Sequence, residues 1–296
     1  MMLVDRTGPH SRFGIYNGRG GADAVRAVGR GEADLGLITP SVAAKMAMDG
    51  RGVFAGEKFP HLRAIGQVPQ WDHLVLAIDA SLGVKSFGDI RAKKPALKIS
   101  TSPDDGECLI GFAAGEVMSA AGIDEETLKS WGGEYVTAER ANGCIDLVMD
   151  GTANAIIHEA IMTPWWQQLA DERDMNFIPM EPAVLEAMEA KFGWGRHELP
   201  AGYFRGLDKP LPTLDFADFL IVVREDMPED IAHLLTWALC ETRGAFEQKY
   251  HHLDPARSPV TYPLDPQKMA QVPIPLHDGA KRYYDSAGIQ TPKMGE

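Results

Sequence analysis

The sequence predicts an α/β protein with mostly parallel sheets flanked by helices. Short apolar runs, among them Asp34–Ile38, His73–Ile78 and Phe216–Val223, alternate with stretches of helical period. Gly50, Gly122 and Gly151 stand directly after such stretches, where a left-handed residue closes a helix. Strands alternating with helices in this way are the pattern of βαβ units.

The elements follow in order. Arg12–Tyr16 reads as a strand and Asp23–Arg30 as a short helix. Asp34–Ile38 is a buried strand, and Pro40–Asp49 a helix stopped by Gly50. His73–Ile78 and Leu97–Thr101 are strands. Gly106–Ala121 is a helix ending at Gly122. Glu134–Thr137 is a strand, Glu139–Met149 a helix, and Ala153–His158 a strand. Pro164–Arg173 is a helix, Asn176–Pro179 a strand and Val184–Lys191 a helix. Phe216–Val223 is a strand, Pro228–Lys249 a long helix, and Asp278–Ala287 the last helix.

Composition narrows the function classes. The chain has 296 residues, enough for two domains, with 45% hydrophobic and 24% charged residues, which excludes disordered and fibrous classes. Asp and Glu number 42 against 29 Lys and Arg, a net charge of −13 that argues against broad nucleic-acid binding and against docking on anionic lipid. Three cysteines, Cys108, Cys144 and Cys240, do not make a disulfide scaffold, and the odd number leaves at least one free thiol. The apolar run Phe219–Val223 falls far short of the ~18–20 residues of a membrane-spanning helix. Met1–Gly8 has no signal-peptide core, so a chain starting at Met1 is expected to be cytoplasmic.

One motif recurs. Thr39-Pro40, Ser102-Pro103 and Thr163-Pro164 each follow a predicted strand, placing a hydroxyl at the N-cap and proline at the first helical position. Ser102-x-x-Asp105 also fits a capping box. Good capping accounts for each singly. Together they describe helix N-termini beyond the carboxyl ends of strands, where open α/β sheets bind polar ligands.

Cofactor motifs are absent. Gly18-Arg-Gly20-Gly21-Ala-Asp23 follows a strand and opens a helix, but Asp23 replaces the third glycine of a dinucleotide loop and would repel a pyrophosphate. No phosphate-binding loop, nucleophile elbow or metal-ligand spacing is present, so neither cofactor nor metal is expected. Trp165-Trp166 fits either ligand stacking or internal packing. Asp104-Asp105 fits either an acidic couple or a solvated cap.

The segment Ile274-Pro-Leu-His277-Asp-Gly279-Ala280-Lys-Arg-Tyr283-Tyr284-Asp-Ser-Ala-Gly288-Ile289 resembles the closing motif of the TAXI family, the solute receptors of a class of TRAP transporters. Gly31-Glu-Ala-Asp34-Leu, Val84-Lys-Ser-Phe-Gly-Asp89-Ile90, Asp150-Gly151-Thr-Ala-Asn-Ala and Asp226-Met-Pro228-Glu-Asp230-Ile231 are similar to that family's motifs in the same order, so the resemblance spans about residues 12–289. It implies a two-lobed type II periplasmic-binding-protein fold with a hinge and an interlobe cleft. Residues 1–80 and 217–296 would form lobe one, and 81–216 lobe two. It further implies an extracytoplasmic, non-enzymatic receptor for a small organic acid or amino-acid-like solute. The solute would be delivered to the membrane subunits of a sodium-coupled TRAP permease.

The sequence departs from that family in three places. A signal peptide and an opening Gly-rich βα unit are not read here, which raises the alternative of a truncated receptor with impaired binding. Asp104, Asp105 and Glu107 occupy a loop that is Gly-Ser-Gly-Thr-like in relatives, and would favour an amino group or cation over an anion. His158–Trp166 is bulkier than the usual turn. A further alternative is an enzyme on the same fold, similar to the pyrimidine-precursor synthases of thiamine biosynthesis, recruiting Cys108 and His158. Loop position nominates Thr39 and Ser41 in lobe one as ligand-binding residues. In lobe two it nominates Thr101, Ser102, Asp105, Thr137, Arg140, His158, Glu159 and Trp165. Thr39, Ser102 and Thr137 would act through helix N-termini, Arg140 as a carboxylate partner and Trp165 as a stacking wall.

Overall fold

The computed structural model describes residues 12–292. In chain order the helices and strands are α1 (Ala22–Gly29), β1 (Leu35–Ile38), α2 (Val42–Asp49), β2 (Leu62–Val68), β3 (His73–Asp79), α3 (Phe87–Lys93), β4 (Lys98–Thr101), α4 (Leu109–Ala120), α5 (Glu125–Ser130), β5 (Glu134–Thr137), α6 (Ala141–Met149) and β6 (Ala155–His158). They continue as α7 (Pro164–Glu172), β7 (Met175–Ile178), α8 (Pro182–Phe192), β8 (Arg196–Leu199), β9 (Leu211–Asp215), β10 (Phe219–Arg224), α9 (Glu229–Glu241), α10 (Arg243–Glu247), α11 (Pro266–Met269) and α12 (Asp278–Ser286). The α/β class is as the sequence predicts.

The chain divides into two units. One holds the chain up to Gly50, Phe54–Trp71 and the chain from Ala217. The other holds Arg51–Val53 and Asp72–Phe216. β3, placed by the sequence reading in lobe one, belongs to the second unit because it pairs with β6, β7 and β9 there.

The first unit has a three-stranded sheet in the order β1-β10-β2. β10 is antiparallel to both neighbours, so β1 and β2 run the same way. The distinctive C-terminal segment is explained by packing in this unit. The His277 ring caps α12, accepting from Gly279 N at 3.1 Å. Gly279 allows α12 to touch α9, since a Cβ there would lie 2.1 Å from the Glu229 carbonyl oxygen. Tyr284 OH donates to the Ile65 carbonyl of β2 at 3.1 Å, and Tyr283 OH donates to Glu241 at 2.6 Å. Ala280 and Tyr284 are buried in one cluster with Ile65, Val223, Ala232 and Met269.

The second unit has a seven-stranded sheet, β5-β4-β6-β3-β9-β8, with β7 also on β3. β4 is parallel to β5 and β6. β3 is antiparallel to β6, β7 and β9, and β8 is antiparallel to β9. Most strands therefore share one direction, although parallel hydrogen bonding is confined to β4, β5 and β6. The β3 ladders are antiparallel because β3 is inserted among strands of opposite direction, and β8 and β9 add a further antiparallel ladder.

Several expectations are corrected. Arg12–Tyr16 forms no strand. It has the alternation of one but pairs with no strand among the described residues, and Phe13, Ile15 and Tyr16 stay exposed. β2, β8 and β9 were not predicted, because Gly66, the polar run Arg196-His-Glu and Pro212 mask their signals. The long C-terminal helix breaks at Thr242, whose hydroxyl donates back to the Ala238 carbonyl at 2.7 Å, a bond that competes with the helix ladder. No helix among the described residues is long and apolar enough to cross a membrane.

Candidate functional site

The parallel strands β5, β4 and β6 bring their carboxyl ends to one edge of the second unit's sheet, and α6, α4 and α7 each begin from the segment that leaves it. Helix N-termini carry unsatisfied N–H groups and partial positive charge, so such an edge favours polar ligands.

Ser102 and His158 meet here. Ser102 Oγ lies 3.1 Å from His158 Nε2, and both residues are buried. Burial pushes the His158 imidazole down to about 4, so it is neutral near pH 7. Its Nδ1 lies 3.2 Å from the Glu159 carbonyl oxygen. Two strand positions before Ser102, Ser100 Oγ donates to the Cys144 carbonyl of α6 at 2.8 Å.

Thr101 and Thr137 oppose each other in the β4–β5 register. Side chains alternate across a sheet, so these two occupy the face opposite Ser100. Thr101 Oγ1 is buried and has no hydrogen-bond partner among the described residues.

Glu159 follows His158 and points its carboxyl at Asp72, which stands just before β3. The Asp72 carboxylate accepts from His73 N at 2.8 Å, Ala160 N at 2.9 Å and Ile161 N at 3.1 Å. Burial, then the Asp72 charge, holds the Glu159 carboxyl well above the usual carboxylate range. The Cys108 thiol is the next acidic group near Glu159. Asp72 was missed by sequence reasoning. Its signal was an acidic residue two positions ahead of the apolar run Leu74–Ile78.

The other nominated residues fall differently. Trp165 is 44% exposed on the first turn of α7, while Trp166 is buried, donates from Nε1 to the Glu159 carbonyl at 2.8 Å and stacks on Phe204. Arg140 takes the N-cap position of α6 without a side-chain cap and is exposed, as is Thr137. Asp105 is exposed and accepts from Glu107 N at 3.0 Å, so it closes a turn in its own loop. Thr39 and Ser41 belong to the first unit. Thr39 Oγ1 accepts from Gln70 Nε2 at 2.8 Å, and Ser41 N donates to the Ala217 carbonyl at 3.2 Å.

The capping expectation holds in position at one of three places. Thr163 is the N-cap and Pro164 opens α7, but Thr163 Oγ1 donates to the Ala160 carbonyl instead of capping. At Thr39-Pro40 the N-cap is Ser41, with no side-chain cap bond. At Ser102-Pro103 the helix waits until Leu109, because Ser102 Oγ is engaged by His158 and Asp105 by its own turn.

In the Gly18–Gly21 loop, Asp23 lies where a pyrophosphate would have to sit. Its carboxylate accepts from Arg19 N at 2.5 Å, Gly21 N at 3.1 Å and Ala24 N at 2.8 Å, so the loop's donors are turned onto the chain's own side chain. No group of three or more His, Cys, Asp or Glu residues suited to a metal occurs among the described residues.

The chain is similar to several solved structures. A protein from Bordetella bronchiseptica RB50 matches with 13% identity and a TM-score of 0.49, over 91% of this chain and 86% of that one. A TctC solute binding protein from Polaromonas matches with 12% identity and a TM-score of 0.46, over 90% and 81%. PhnD1 from Prochlorococcus marinus, solved with methylphosphonate, matches with 13% identity and a TM-score of 0.42, over 92% and 76%. The model of the NMT1-like family matches residues 9–288, nearly the whole sequence, and the chain belongs to that family.

Proposed function

We propose that the protein is a non-enzymatic solute receptor. It holds a small organic acid or amino-acid-like solute at the β5-β4-β6 edge and delivers it, outside the cytoplasm, to a sodium-coupled permease of the TRAP type. One observation carries this reading. Three parallel strands end together, each followed by a helix N-terminus, with the buried Ser102–His158 pair and the unpartnered Thr101 hydroxyl on opposite faces of that edge. The helix N-termini offer N–H groups to a polar solute, and the buried side chains hold the edge that presents them. The resemblance of the Ile274–Ile289 segment to TAXI receptors supports the permease assignment.

A thermal-shift screen against dicarboxylates, 2-oxo acids, amino acids and polyamines tests it. A ligand at 100 times its Kd adds about 2.7 kcal/mol, which raises Tm by several degrees. A shift confined to one chemical class supports the reading. A sharp melt with no shift across the panel counts against it. Chemical conversion of any bound compound would favour an enzyme using Cys108 and His158 instead.

A further inference from the structure

Unit 2 buries two carboxyl groups against one another. Asp72 is 3% exposed, and the Glu159 side chain 15%. Their carboxyl groups are hydrogen-bonded to each other. Two ionised carboxylates in contact repel strongly in a buried site, so the pair retains one proton. The three backbone N–H groups on Asp72 stabilise its charged form. Glu159 has one such donor, the Ala160 N–H, against three on Asp72, and burial together with the Asp72 charge raises its proton affinity. The proton therefore sits on Glu159, which donates to Asp72.

The same pair fixes a strained loop. Ala160 has φ +62°, a left-handed conformation unfavourable for any residue with a Cβ. Two of the three N–H groups on Asp72 come from Ala160 and Ile161. The Glu159 carbonyl takes the indole N–H of Trp166. The shared proton, the left-handed turn and the first turn of α7 are thus tied to the start of β3.

We propose that the proton between Asp72 and Glu159 is a latch that holds the 159–163 loop and the start of α7 against β3, and that its loss at alkaline pH releases them. The titratable groups facing the pair are His158 at the end of β6, His73 at the start of β3 with His197 of β8 against its ring, and Cys108 at the N-cap of α4. Burial keeps both His158 and His73 neutral at the pH of release. Among the described residues neither carboxyl has a Lys or Arg ion pair, so no fixed positive charge stabilises the doubly ionised form.

Hydrogen exchange of the full chain, read on peptides spanning the 159–166 segment at about pH 6 and about pH 9 and corrected for intrinsic rates, tests the latch. Wild type is expected to lose protection in this segment about tenfold or more at the higher pH, with the rest of unit 2 unchanged. Glu159→Gln keeps a donor to Asp72 but cannot ionise, so its protection is expected to be the same at both values. Equal pH dependence in wild type and Glu159→Gln overturns the proposal. If that variant fails to fold, the wild type alone decides through the infrared band of a protonated carboxyl group. A band that persists at neutral pH and disappears together with the loop's protection supports the latch, and its absence at neutral pH overturns it. The readout needs no solute, so it stands or falls separately from the receptor assignment.

Discussion

Ser102 and His158, 56 residues apart in sequence, join at 3.1 Å across the neighbouring strands β4 and β6. Neither side chain is accessible. The bond secures the segment leaving β4 to the end of β6 and leaves each residue dependent on the other for its polar atom.

Ser102→Ala removes the only partner that His158 Nε2 has among the described residues. An unsatisfied buried ring nitrogen costs about 1–3 kcal/mol, which lowers Tm by a few degrees for a chain of this size. Thermal unfolding of Ser102→Ala against wild type checks it. An unchanged Tm would mean that another group or a water replaces the hydroxyl.

Burial pushes His158 down to about 4 and His73 to about 3, from an ordinary value near 6.5. The unfolded chain then binds protons that the folded chain cannot. These two residues therefore contribute a loss of stability as pH falls from about 6.5 towards 4. Glu159 acts in the opposite sense, because its folded-state affinity for the proton is raised. Its contribution is full below the ordinary value of 4.5 and declines as pH rises through the folded-state value. Urea unfolding across pH separates the two. His158→Gln should flatten the acid limb, and Glu159→Gln the alkaline limb.

Gly279→Ala would place a Cβ 2.1 Å from the Glu229 carbonyl oxygen and 2.9 Å from the Ala232 Cβ. Both obstacles are fixed to α9, so α12 must move as a body. The expected cost is at least the ~1–3 kcal/mol of an overpacked core. Chemical denaturation should show a lower midpoint, and hydrogen exchange should show the lost protection concentrated in α12 and β2.

Cys108, Cys144 and Cys240 are buried free thiols. Burial raises Cys144 and Cys240 to about 11, so few thiolates are present at neutral pH. A thiol reagent should react slowly with the native protein and count three thiols once denaturant is added. Rapid native reaction of one thiol, located by mass spectrometry, would identify an opening of the structure at that site.

Among the described residues β1 pairs only with β10, and Leu37 on it is 56% exposed. Free apolar edges favour association. Leu37→Lys should reduce concentration-dependent light scattering without lowering Tm. Unchanged scattering would show that the edge is not the contact.

Local chemistry made much of the framework legible. The strands β1, β3, β4, β5, β6 and β10 and the helices α1, α2, α6, α7 and α12 can be read from apolar periodicity and terminal Gly or Pro, because these act over a few residues. The acidic interruption of the Gly18–Gly21 loop was legible for the same reason. Asp23 stands beside the donors it occupies. Other features required the tertiary structure. Ser102 looks like a helix cap, yet its hydroxyl is held by His158 and the helix begins at Leu109. Asp72 and Glu159 lie 87 positions apart, and no local pattern announces that they share a proton. Arg12–Tyr16 has the alternation of a strand and is not one, because a strand exists only where another supplies hydrogen bonds. Which partners a residue finds is decided by strand order and burial, and these are properties of the whole chain.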